Sequence, residues 1–144
     1  MSLFAPKPGY QTGVTSAVRR TSPDVAYDAD PATGFPVYSS TAYDGQTGWF
    51  QMGGTSAGAP QWAGVLAAAN QLRKPLGKGP LASATSTGAT PFHSALYAQR
   101  PVADVVSGTN GSCGALCTAG TGYDAVTGLG SPRRGVDVAL RDLY

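Results

Sequence analysis

The sequence predicts an α/β domain. Three observations carry this. Short runs rich in aromatic and β-branched residues are interleaved with helical patterns. One long helical pattern starts where Gly53-Gly54 breaks off a strand run. Hydrophobic residues make up 42% of the 144, enough to bury a core at this length. The 20 glycines and 11 prolines are a heavy share, but below the roughly 25–30% at which low-complexity disorder is the default.

In chain order, Met1–Leu3 reads as residues added ahead of a natural sequence that resumes near Phe4, so residues 4–144 are treated as one unit. Residues 4–23 lack strong periodicity and read as a surface segment with at most one short helix. Asp24–Tyr27 is a brief strand candidate. Asp30-Pro31-Ala32-Thr33-Gly34 has turn chemistry, with Pro fixing φ and Gly free to take positive φ. Phe35–Ser40 and Thr47–Met52 read as strands. Ala57–Leu72 reads as a helix with Pro60 in its first turn. Trp62, Val65, Leu66 and Ala69 form its apolar stripe, and Ala63, Gly64, Ala67 and Ala68 make the other side small. A helix apolar or small almost all round is expected to be buried. Residues 73–91 read as a loop, Phe92–Gln99 as a short helix and Val102–Val106 as a short strand. Residues 107–132 form a Gly-rich loop before a terminal helix at Gly135–Leu143.

Charge narrows the function classes. Charged residues are 12% and the net charge is +2, with basic residues scattered, which argues against nucleic-acid binding. No run of 18 apolar residues predicts a membrane span, and no signal peptide is visible. All eight acidic residues are Asp, there is no Glu, and the one His is His93. A mechanism that needs a Glu base, or a His ahead of the nucleophile, cannot be completed by this chain alone.

Ser56 is the candidate nucleophile. It sits at a strand-to-helix junction, where free backbone N–H groups and the positive end of the helix dipole meet. Such donors can stabilise an oxyanion on the carbonyl that the serine attacks. An ordinary N-cap is the alternative. Gly54-Thr55-Ser56-Ala57-Gly58 also satisfies the G-x-S-x-G nucleophile elbow, which requires an acid and then a His after the serine. Here His93 precedes Asp104, the next acid, so the elbow fails on chain order.

Asp104 and Asp124 bracket a loop holding Gly108, Gly111, Gly114, Gly120 and Gly122. Either they contribute carboxylates to a hard cation such as calcium, or they cap backbone N–H groups in a long turn; no EF-hand spacing is present. Cys113 and Cys117, spaced C-x3-C, are too few for zinc. A local disulfide fits them and agrees with an extracytoplasmic setting, with two free thiols as the alternative.

The longer string GGTSAGAP, residues 53–60, resembles the G-T-S-x-x-x-P serine motif of the subtilisin clan. Within that clan it looks most like the sedolisins, the serine-carboxyl peptidases. PDVAYDADPATGFPVY (23–38), GWFQMGGTSAGAPQWAG (48–64) and DVVSGTNG with AGTGYDAVTGLGSP (within 104–132) are also similar to the C-terminal part of a sedolisin catalytic domain. The resemblance implies a subtilisin-like, mostly parallel sheet with flanking helices. It implies hydrolysis of peptide or protein substrates through an acyl-enzyme on Ser56, in a secreted parent. In that family the serine is activated by a Glu oriented by an Asp, and a further Asp lines the oxyanion hole. No residue here matches them, so they are expected from an upstream part of the same catalytic domain. The chain alone is expected to be inactive, and its open edge and apolar surface to favour self-association. A carboxylate base works in acid, where imidazole is already charged.

The same resemblance makes Ca2+ the expected cofactor, held by the side chains of Asp104 and Asp124 and the carbonyls of Val105, Gly120 and Gly122. Two competing readings are a noncatalytic, calcium-stabilised extracellular module and part of a subtilisin whose Asp and His lie upstream. His93 is expected to cap or face solvent. Asp28 and Asp30 are expected at a strand end and a turn, Arg19-Arg20 and Arg133-Arg134 in solvent, and Trp49 and Trp62 around the serine segment.

Overall fold

The computed structural model describes residues 1–81 and 91–143. Two antiparallel strands come first, β1 (Phe35–Tyr43) and β2 (Gln46–Met52). Helix α1 (Thr55–Arg73) follows, then α2 (Pro91–Gln99). The short strands β3 (Val102–Ala103) and β4 (Ser131–Pro132) pair antiparallel, and α3 (Val136–Arg141) packs on α1. The expected loop 73–91 lies partly outside the described residues.

The expected mostly parallel sheet is overturned. Among the described residues there are two separate two-stranded sheets, both antiparallel. The reason is local. Tyr43 pairs with Gln46, leaving a two-residue turn in which Asp44 (φ 49°) and Gly45 (φ 75°) both take positive φ. Such a turn matches the strand twist and forces a hairpin. Between Ser39 and Tyr43 the register shifts through a bulge, braced by the Ser39 hydroxyl donating to Thr41 O at 2.8 Å.

Periodicity places the helices correctly. Trp62 and Ala69 of α1, Leu96 and Tyr97 of α2, and Val136 and Leu140 of α3 meet in one buried core. The small face of α1 departs from expectation, since Ala63, Gly64, Ala67 and Ala68 are exposed. Trp49 departs too: it stands 72% exposed on the hairpin, edge-on to Tyr38, whereas Trp62 is 7% exposed. No described helix is long and apolar enough to cross a membrane.

At the far end of α1, Arg73 is buried among backbone carbonyls. Its Nε donates to Gly79 O at 2.8 Å, and Nη1 donates to Arg141 O at 3.0 Å and to Leu143 O. A cation over the last carbonyls of α3 complements that helix's negative end.

Candidate functional site

Ser56 is reached through two close backbone approaches. Strand β2 ends at Met52, and at Gly53, which follows, a Cβ would come within 2.4 Å of Pro31 N, while a Cβ on Gly34 would come within 2.0 Å of Met52 O. Only glycine lets the 30–34 turn lie against the end of β2. The Gly54 N–H then donates to Ala29 O at 2.8 Å, which ties the start of α1 to the preceding segment.

The helix is started by Gly54, not by the serine. Gly54 is the N-cap (φ 128°, ψ 145°), and no side chain caps this end. Ser56 therefore lies in the first turn, exposed, and its hydroxyl makes no hydrogen bond among the described residues. The N–H groups of Thr55 and Ser56 likewise have no backbone partner there. These are the orphan donors of a helix start, aligned with the positive end of the dipole. Because α1 starts at Thr55, Pro60 falls in the second turn rather than the first. Lacking an N–H, it leaves the Ser56 carbonyl without its helical donor.

The turn ahead of Ser56 is held by carboxylates. Asp28 accepts from Asp30 N at 3.1 Å and from the Thr33 hydroxyl at 3.1 and 3.0 Å, and Asp30 Oδ1 accepts from Ala32 N at 2.8 Å. Asp30 holds a turn, as the sequence predicts, whereas the expected strand Asp24–Tyr27, and with it a strand end at Asp28, does not form.

The expected calcium site does not fit the loop. Asp104 Oδ2 accepts from Gly122 N at 2.7 Å, and Asp124 Oδ2 accepts from Gly120 N at 3.1 Å. Asp124 Oδ1 accepts from Val126 N and Thr127 N at 2.8 and 2.7 Å, and the Thr127 hydroxyl lies within 3.2 Å of both oxygens. The two glycines thus present N–H groups, not carbonyls, to the carboxylates. Among the described residues no group of three or more His, Cys, Asp or Glu could hold a metal ion. This overturns Ca2+ as cofactor at Asp104, Val105, Gly120, Gly122 and Asp124. The carboxylates cap the turn instead. Burial opposes charge on Asp124, but the N–H bonds from Thr127, Gly120 and Val126 outweigh it and hold its carboxyl below the usual range.

Cys113 and Cys117 form a disulfide, closing a small finger in which Asn110 N donates to Cys117 O at 3.0 Å. Gly111 packs against that bridge: a Cβ there would lie 3.1 Å from Cys117 Sγ.

One polar cluster gathers residues far apart in the sequence. Asp24 pairs with Arg20, accepts from the Tyr97 hydroxyl at 2.6 Å, and lies 3.7 Å from His93 Nε2. Gln11 Nε2 donates to the Tyr97 oxygen at 3.0 Å and to Thr21 O at 2.9 Å, and Tyr123 donates to the Thr21 hydroxyl at 2.9 Å. His93 stacks on Tyr10, and burial pushes its pKa down despite Asp24. Burial, then the bond to Asp24, pushes the Tyr97 phenol up. Arg20 and Asp24 are four residues apart but on no helix, so no local pattern marks the pair.

No family model matches the chain. It is 33% identical to xanthomonalisin of Xanthomonas sp. strain T-22, over 91% of this chain and 14% of that protein. It is 35% identical to sedolisin of Pseudomonas sp. strain 101, over 99% of this chain and 22% of that protein. With tripeptidyl-peptidase sed1 of Aspergillus fumigatus the identity is 34%, over 92% of this chain and 18% of that protein. The chain thus spans less than a quarter of the length of these curated relatives. Among solved structures it superposes on Pseudomonas sedolisin, a serine-carboxyl proteinase complexed with two molecules of pseudo-iodotyrostatin. There the TM-score is 0.66 at 34% identity, over 96% of this chain and 33% of the solved one.

Proposed function

Because this chain belongs to the sedolisin family of serine-carboxyl peptidases, we propose that it supplies the nucleophile, Ser56, of a peptide-bond hydrolase. Residues 4–144 act as one portion of a longer catalytic domain. The carrying observation is that Ser56 is exposed at the start of α1 with its hydroxyl unspent, the N-cap being Gly54.

In this reading Ser56 Oγ attacks the scissile carbonyl while its proton passes to a carboxylate base. The new oxyanion faces the N–H groups at the start of α1. Collapse expels the amine, which takes the proton from that same carboxyl group, and leaves an acyl-serine, which water hydrolyses to the acid and free Ser56. The base is a Glu in the family pattern, and this chain has none, so the acid partners come from outside it. Alone, the chain turns over no peptide: an unactivated hydroxyl is a weak nucleophile. The Cys113–Cys117 bridge supports an oxidising, extracytoplasmic setting.

The test is made in the longer polypeptide. Ser56→Ala is expected to lower peptide turnover by at least about 10^4-fold with an unchanged melting temperature. A native-like rate in Ser56→Ala would sink the assignment. An aldehyde peptide adduct mapped by mass spectrometry to another residue would do the same.

A further inference from the structure

The finger at residues 109–118 holds a reactive pair that takes no part in the peptidase chemistry. Asn110 is one of two asparagines in the chain, and Gly111 follows it. Both are exposed, and the Asn110 side-chain amide makes no hydrogen bond among the described residues. An amide so placed is open to attack by the next backbone nitrogen, and glycine, with no Cβ, shields that nitrogen least. Asn70, the other asparagine, is half-buried within α1 and followed by Gln71, and its Oδ1 accepts from Leu81 N at 2.9 Å.

The finger favours that glycine and at the same time restrains the reaction. A Cβ at Gly111 would stand 3.1 Å from Cys117 Sγ, so the bridge favours at 111 the residue that shields Asn110 least. Cyclisation requires the backbone at Asn110 to turn until Gly111 N reaches the side-chain carbonyl carbon. Against that turn, Ala119 N donates to Gly108 O at 2.9 Å and Asn110 N donates to Cys117 O at 3.0 Å, pairing the two arms from the base up to Asn110. Thr109 clasps Gly111 as well: its hydroxyl donates to Gly111 O at 2.8 Å and accepts from Gly111 N at 3.3 Å. Cys117 is tied in turn to Cys113, so the arm that Asn110 pairs with is fixed while the disulfide is intact.

We infer that Asn110 is a self-modification site, held as the amide while the Cys113–Cys117 bridge is closed and converted to aspartate or isoaspartate once it is open. A dithiol opens the bridge and is oxidised to its own disulfide as the two cysteines become thiols. Gly111 N then gives its proton to hydroxide and bonds to Asn110 Cγ. The bond from Cγ to the amide nitrogen breaks, and that nitrogen leaves as ammonia with a proton from water. Water adds to the cyclic imide and opens it at either carbonyl. The product carries a carboxylate in place of an amide, which lowers the net charge of +2 by one. Where isoaspartate forms, the main chain gains one carbon between residues 110 and 111, and the turn that joins Asn110 to Cys117 is lengthened.

The experiment incubates the full chain at mildly alkaline pH with and without a dithiol. Peptides covering Asn110 and Asn70 are followed by mass spectrometry, and helix content by circular dichroism. Conversion at Asn110 is expected to run about tenfold faster with the bridge open, while Asn70 stays an amide and helix content holds. The Cys113→Ser, Cys117→Ser double variant is expected to convert at the fast rate without reductant. Absence of conversion at Asn110 with the bridge open would overturn the site, and equal rates with the bridge open and closed would overturn the gate. Helix content lost in step with conversion would overturn the inference too, by assigning the acceleration to unfolding of the whole chain. Should the double variant fail to fold, Thr109→Val keeps the bridge and loses the clasp. It is expected to convert faster than the native chain, and a native rate there would contradict restraint by the finger.

Discussion

The Tyr97 hydroxyl donates to Asp24 Oδ1 at 2.6 Å, joining α2 to a segment 73 residues earlier. The same oxygen accepts from Gln11, so one phenol links three stretches of chain. Tyr97→Phe removes a donor to a carboxylate and an acceptor for a buried amide. It should cost about 1–3 kcal/mol, read as a lower urea midpoint with an unchanged slope. An unchanged midpoint would show that the cluster contributes nothing to stability.

Acid should weaken the fold through His93. Burial lowers the pKa of this ring below its ordinary 6.5, against the pull of Asp24 and with Arg20 acting the same way as burial. The unfolded chain therefore binds the proton more readily. The stability from burying a neutral ring is complete above about pH 6.5 and is lost as pH falls below it. Urea midpoints measured from pH 7.5 to 5 should decline, and His93→Gln should flatten that decline. A decline just as steep in His93→Gln would assign the titration elsewhere.

Arg73 is expected to be the most costly single charge to remove. Replacing it with Ala removes the donor from the part-buried carbonyls of Gly79 and Arg141 and the buried carbonyl of Leu143, at about 3 kcal/mol. Arg73→Lys keeps the charge but not the fork, and should recover only part of the loss. Amide exchange in α3 should accelerate in both. Loss confined to α1 would contradict the clamp.

Reducing the Cys113–Cys117 bridge opens a ring closed across a separation of four residues. On the chain-entropy model so short a ring contributes about 2 kcal/mol. The melting temperature should fall by about 4–8 °C with reductant. The Cys113→Ser, Cys117→Ser double variant should melt there without reductant, and a native melting temperature in that variant would remove the bridge from the account of stability.

The helices were legible because each repeats its pattern locally: Trp62, Val65, Leu66 and Ala69 mark the α1 stripe without any knowledge of what it packs on. The hairpin was legible too, since Asp44-Gly45 between two strand runs is a strong short-range turn signal. The expectation of a mostly parallel sheet rests on family likeness instead of on these residues. The calcium assignment shared that origin. Its two aspartates do meet Gly120 and Gly122, but through N–H groups, a polarity that residue spacing does not report. The cluster around Asp24 was illegible for another reason, because Gln11 and Tyr97 meet across 86 residues, beyond any window of local pattern.

The division of labour between Gly54 and Ser56 has an evolutionary consequence. A glycine backbone opens α1, so the hydroxyl two residues later carries no part of the helix's stability. Replacing Ser56 with Ala would then leave the helix intact. On the proposed role of Ser56, that one substitution yields a folded but inactive chain, and residue 56 is the position at which to look for such chains.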